Sequence, residues 1–140
     1  MWRPCLPSAS RVRGRLAHGG LLLVPVCVHE QTFEFLIDTR AAYTALSKDI
    51  VSLLDLMIVS HRILAIAPAQ GAIFHAPVVT LREFQIGGFR LANVTAIVLA
   101  FPHALKIDGI VGMNVLRLFR FTVEVDTGTL VLRQPIPSIK

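Results

Sequence analysis

Two aspartates in this chain stand directly before a threonine, Asp38 in "FEFLIDTRAAYTALS" (33–47) and Asp126 in "VEVDTGTLVL" (123–132). A carboxylate can do acid–base chemistry only where the fold holds it within reach of a substrate. The neighbours of the two aspartates differ in that respect. Val123 and Val125, then Leu130 and Leu132, alternate on either side of Asp126-Thr127-Gly128. That is the place where a hairpin needs a polar residue and a glycine able to take positive φ, so Asp126 is expected in a structural turn. Asp38 instead follows Phe33, Phe35, Leu36 and Ile37, apolar on both faces, with no glycine beside it. A carboxylate leaving such a strand must find donors or a partner. The residues alone leave two readings of Asp38 open, a turn or capping residue and a reactive group.

The elements that must position these residues read mainly as strands. "LLLVPVCV", "HEQ" and "TFEFLID" form a predicted hairpin, and "AAYTALS" a further short extended segment. Ser47 is the expected N-cap of a short helix "KDIVSLLDL", with Asp49 in its first turn. "HRILAIAP", "AIFHAPVVTLREFQI" and "RLANVTAIVLA" read as strands separated at "AQG" and "IGG". Gly112 opens a second short helix through "MNVLRLF". "FTVEVDTGTLVLR" closes the domain as a hairpin, and Pro135 and Pro137 stop the ladder. Many short strands and two short helices predict an all-β closed or sandwiched domain over residues 21–134.

The 140 residues suffice for one domain, and 54% hydrophobic against 16% charged residues argues against disorder. That composition also leaves apolar surface for a subunit interface. The net charge of +5 is concentrated in Arg3, Arg11, Arg13 and Arg15, so residues 21–140 are nearly neutral. Residues 1–20, rich in Pro, Ser, Gly and Arg, are expected to be a flexible basic arm, and 135–140 a tail. No aromatic platform is interleaved with those arginines, so nucleic acid is not an expected partner. The apolar run "LLLVPVCV" is too short to span a bilayer. Cys5 and Cys27 with His18, His29, His61, His75 and His103 show no metal-ligand spacing, and the two cysteines suit a reduced, cytoplasmic compartment. Asp108-Gly109 reads as a turn.

"FLIDT" followed some seventy residues later by Ile110-Val111-Gly112 and a helical segment resembles the retropepsin-like aspartic peptidases. Asp38, Thr39 and Ala41 match that family's first motif, with Thr44 and Leu46 in the strand after it. Ile110, Val111 and Gly112 match its second motif, and Asn114 and Leu116 fit the pattern that follows. The resemblance implies a retropepsin-like acid-protease β-barrel and a homodimer in which each subunit gives one aspartate, here Asp38. It implies hydrolysis of a peptide or protein substrate by a carboxylate pair sharing one proton, with neither cofactor nor metal. Thr39 would brace the paired loops, and Gln70-Gly71 would lie near the tip of a flap over the substrate. Arg40 occupies the place of the motif glycine and brings bulk and a fixed cation. A cation beside the pair favours ionised carboxylates and would leave it short of a general acid. Two further readings stay open, an inactive binding module on the same dimeric fold and a small barrel binding nucleic acid through the basic arm.

Overall fold

The computed structural model describes residues 9–17, 19–66 and 74–135. Along the chain run β1 (Ala9–Arg13), β2 (Arg15–Leu16), β3 (Leu22–Val28), β4 (Gln31–Ile37), β5 (Thr44–Ser47) and α1 (Lys48–Leu53). Then come β6 (Ile58–Ile66), β7 (Phe74–Ile86), β8 (Phe89–Leu99), a 3₁₀ turn (His103–Leu105) and β9 (Gly109–Val111). The last elements are α2 (Met113–Leu116), β10 (Arg120–Glu124) and β11 (Thr129–Arg133).

Alternation builds the barrel. In β3, Val24, Val26 and Val28 turn inward, and in β4 Phe33 and Phe35 do the same. The two strands pair antiparallel from Leu23↔Leu36 to Val28↔Gln31. Their tight turn is His29-Glu30, both at positive φ (48° and 71°), the backbone twist that a two-residue hairpin requires. From β4 the ladder continues through β9, β5, β8 and β7, and β7 returns to β3 through Val26↔Ile86 and Val28↔Phe84. Six strands thereby close on themselves and leave no edge in the ring. β6 extends outward from β7, and β2 caps the start of β3.

The interior is mainly aliphatic, with phenylalanines among it. Phe35 and Phe84 are fully buried and meet edge to face, ring centroids 6.0 Å apart. Burial of each side chain contributes about 1.5–3 kcal/mol. A second sheet, β1-β11-β10, lays Val12, Leu130 and Leu132 onto the same core.

That second sheet departs from the sequence reading of residues 1–20 as a flexible arm. Ala9–Arg13 pairs with β11 along its whole length, and Arg15–Leu16 pairs with β3. Arginine, serine and glycine masked a period-2 pattern in which Ser10 and Val12 face inward while Arg11 and Arg13 face out. Ser10 Oγ also accepts a hydrogen bond from Gly88 N at 2.9 Å and ties β1 to the β7–β8 turn. The helices are shorter than expected. α1 ends at Leu53, before Asp55 enters the left-handed region (φ 51°), and α2 has four residues. Ser47 caps α1 as expected, accepting from Ile50 N at 3.2 Å. Among the described residues, no helix is long and apolar enough to cross a membrane.

Candidate active site

Asp38 is the first residue after β4, and its place is set by the strand beside it. β9 runs parallel to β4, with Leu36↔Ile110 and Ile37↔Val111. One step further, Asp38 N donates to Val111 O at 3.2 Å. β9 is antiparallel to β5 on its other side, through Ala45↔Ile110 and Leu46↔Gly109. The second apolar motif is therefore wedged between the strand that ends in Asp38 and the strand that follows it.

The loop between them is a compact turn. Asp38 Oδ1 accepts from Arg40 N at 2.9 Å and Asp38 O accepts from Ala41 N at 3.2 Å. Ala41 O and Ala42 O in turn accept from Met113 N (2.7 Å) and Asn114 N (3.1 Å), two of the donors left open at the start of α2. The loop is thus pinned to β9 at one end and to α2 at the other. Asp38 remains half-buried, and among the described residues nothing donates to its Oδ2.

Thr39 and Arg40 are exposed on the crown of this turn, and Ala41 is half-buried. Arg40 meets Asp38 through its backbone amide, a contact that any residue would make. Among the described residues its guanidinium forms no ion pair with Asp38 or any other acid.

Gly112 is required by proximity. A Cβ there would lie 2.5 Å from Tyr43 O and 2.8 Å from Thr44 N, closer still to the Tyr43 carbonyl carbon. Its amide donates to Thr44 Oγ1 at 3.2 Å. Thr44, fully buried, gives its N–H (2.8 Å) and its hydroxyl (2.9 Å) to Asn114 Oδ1. Asn114 Nδ2 finishes the network at Thr95 O, 2.8 Å away on β8. Every polar atom of this knot has a partner, the condition under which a buried network rigidifies its surroundings.

Of the sequence-predicted residues, the fold brings Asp38, Thr39, Arg40, Ala41, Ile110, Val111 and Gly112 to one place. Gln70 and Gly71 lie outside the described residues; the strands on either side of them, β6 and β7, form an antiparallel pair from Ile66↔Phe74 inward. Asp126 sits in the exposed turn between β10 and β11, with Gly128 at φ 65°. Asp108 contributes more than a turn. Its Oδ2 accepts from Glu34 N (2.9 Å), its N donates to Glu34 O (3.0 Å), and its carbonyl accepts from Ser47 N (2.9 Å). It fastens β4 and β5 just ahead of β9. The signal available in the sequence was an acid followed by Gly109, where a Cβ would strike Phe35 and Ala45 O. Among the described residues no cluster of His, Cys, Asp or Glu is placed to hold a metal ion.

No curated protein matches the sequence significantly. Among solved structures, a retropepsin-like aspartic protease from Rickettsia conorii is similar over 90% of this chain and 92% of its own, with TM-score 0.69 and 20% identity. A foamy viral protease-reverse transcriptase, solved in complex with an RNA/DNA hybrid, is similar over 86% of this chain and 13% of its own, with TM-score 0.54 and 15% identity. These likenesses show a retropepsin-like fold. Residues 24–115, which contain Asp38, the second motif and Asn114, match the aspartyl protease family; the chain belongs to that family, on its retropepsin-like fold.

Proposed function

We propose that this chain is an aspartic endopeptidase whose dyad forms when two copies place their Asp38 carboxylates together across a two-fold axis. The observation that carries the reading is the braced loop. An exposed turn is held by β9 and α2 so that, among the described residues, Asp38 keeps one carboxylate oxygen without a donor. One carboxylate cannot serve at once as general base toward water and as general acid toward the carbonyl oxygen. Two, sharing a single proton, can do both. The ionised member takes a proton from water as it attacks the peptide carbonyl. The protonated member gives its proton to the carbonyl oxygen, and the pair is restored as the amine leaves. An isologous dimer supplies the second copy with no additional residue.

Mixing experiments separate this from a single-chain mechanism. With Asp38→Asn subunits replacing wild type at constant total concentration under exchange, cleavage of a peptide library should fall as the square of the wild-type fraction. A linear fall would overturn the dyad.

One observation favours a second reading, an inactive binding module. Arg40 is exposed on the site loop, in the position where the family motif carries glycine. Its side chain adds bulk where the substrate backbone would approach, and in a dimer it brings two cations near the pair. Arg40→Gly should therefore raise turnover and shift its optimum, as measured on the same library across a pH series. Equal, robust turnover in both forms would show that Arg40 is harmless; no turnover in either would favour the binding module.

A further inference from the structure

The outer face of the β1-β11-β10 sheet gathers arginines from both ends of the sequence. Directly paired residues share a face of a sheet. The registers place Ala9, Arg133 and Arg120 in one row, Arg11, Val131 and Thr122 in the next outward row, and Arg13, Thr129 and Glu124 in the third. Val12, Leu130 and Leu132 point into the core, so Arg11, Arg13, Arg120 and Arg133 stand together on the opposite face, all four exposed, with Thr129 and Val131 of the central strand buried between them. Their Cβ atoms trace a line at intervals of roughly 5–8 Å.

The arrangement is costly for a surface with no partner. Arg120 and Arg133 are direct cross-strand neighbours, and like charges so placed repel. Glu124 is the one acid on this face, and its carboxylate is taken by Arg11. Arg13, Arg120 and Arg133 are exposed and form no ion pair among the described residues. Among the described residues, none of the large exposed apolar side chains lies on this face, so these strands offer nothing to insert into a bilayer. A second copy of the chain is also a poor occupant, because stacking would oppose two sets of uncompensated guanidinium groups. All four cations are arginine, whose planar fork grips phosphate oxygens bidentately.

We propose that this face binds the phosphate backbone of nucleic acid without reading its sequence. The inference reverses the expectation drawn from the arm, because β1 is a strand that aligns its arginines with those of β10 and β11. It is independent of the peptidase reading.

Anisotropy of a labelled single-stranded RNA, roughly 20 nucleotides of uridine, tests it with the full chain. Three free phosphate contacts predict a slope of log K against log salt of about −2, or about 15-fold weaker binding from about 50 to about 200 mM salt. Arg13→Gln/Arg120→Gln/Arg133→Gln should abolish most of that slope and weaken binding at least tenfold, whereas the corresponding lysine variant should keep the slope. Arg82→Gln/Arg90→Gln, elsewhere on the surface, should change neither, and circular dichroism melts confirm that each variant is folded. Unchanged RNA binding by the triple glutamine variant would overturn the proposal. So would binding to phosphatidylserine vesicles with none to RNA, or no salt-dependent binding at all.

Discussion

Asp38 and Asp126 both precede a threonine just beyond a β-strand, yet β4 delivers its aspartate to a loop held by two other elements, whereas β10 delivers its own to the exposed turn of a hairpin. Around Asp38, backbone contacts reach Val111, Met113 and Asn114, residues more than seventy positions away. Around Asp126, the side-chain contacts are local, Thr127 Oγ1 reaching Thr129 Oγ1 at 3.0 Å and Glu124 O at 3.4 Å, and one distant group joins them, Gly14 N, which donates to Gly128 O at 2.9 Å. Gly128 answers for its turn with positive φ, and Gly112 for its loop with lack of space. The intact Asp-Thr-Gly tripeptide thus serves chain reversal, and the altered one lies where long-range packing converges. A dipeptide acquires a role from what the fold brings against it.

Exchanging the two aspartates for asparagine gives the largest expected difference. Under the peptidase reading, Asp38→Asn should lower kcat/KM for peptide cleavage on the order of 10²–10⁴-fold, since it removes a proton-transferring group. Asp126→Asn should leave it unchanged. Comparable losses from both, measured on proteins of equal thermal stability, would break the distinction drawn between the two loops.

The glycines sharpen the comparison on the side of stability. Gly112→Ala forces a Cβ into the Tyr43–Thr44 backbone and should cost about 1–3 kcal/mol in urea unfolding, with loss of the site loop's order. Gly128→Ala meets no atom closer than 3.5 Å, so its cost is the left-handed backbone alone, about 1–2 kcal/mol. The decisive difference is functional. The first substitution should damage activity beyond its effect on folding, and the second should not.

Much of this was legible in the sequence. Alternation in "LLLVPVCV" and "TFEFLI" gave the first hairpin, and Ser47 announced α1. The order of the "FLIDT" and "IVG" motifs pointed to the retropepsin-like family, while the wedge of β9 between β4 and β5 emerged only with the fold. What escaped was long-range or compositionally masked. β1 failed to register because Arg11 and Arg13 look like a solvated tail until β11 is laid beside them. The four-residue α2 also read too long, because Leu118 and Phe119 continue an apolar pattern that turns have already taken over. His29-Glu30 forms a tight turn without glycine, a conformation that neither residue type advertises. Asp108 gave away its turn but not its hold on Glu34, which depends on a strand seventy-four residues earlier.

The buried knot behind the site loop and the exposed hydroxyl of the hairpin offer a smaller contrast. Thr44→Val removes the acceptor for Gly112 N and one donor to Asn114, inside a fully buried setting, and should cost about 1–3 kcal/mol. Thr127→Ala, on the surface, should stay within about 0.5 kcal/mol. Similar unfolding midpoints for the two would mean that the Thr44–Asn114–Thr95 network does not stiffen the loop.

The smallest effect belongs to the pair that joins β2 to β4. Arg15 grips Glu34 with two hydrogen bonds, 3.0 Å from Nε and 2.7 Å from its terminal nitrogen. The hydrogen bond from Arg15 holds the Glu34 carboxyl below its usual range, and the bond to Glu34 raises the guanidinium correspondingly. A carboxylate depressed in the folded state adds stability above its unfolded pKa and loses it as pH falls through the folded value. The contribution should therefore be present at neutral pH and disappear on the acid side of 4.5, the unperturbed value for glutamate. Both side chains are about half exposed, so screening keeps it small, and salt should shrink it further. Arg15→Gln compared with wild type in urea titrations from pH 7 downward should show a slight deficit at neutral pH that shrinks as pH falls below 4.5. A deficit that does not shrink as pH falls would assign Arg15 a packing role along β2, because the charge that Arg15 answers is lost as Glu34 takes up its proton.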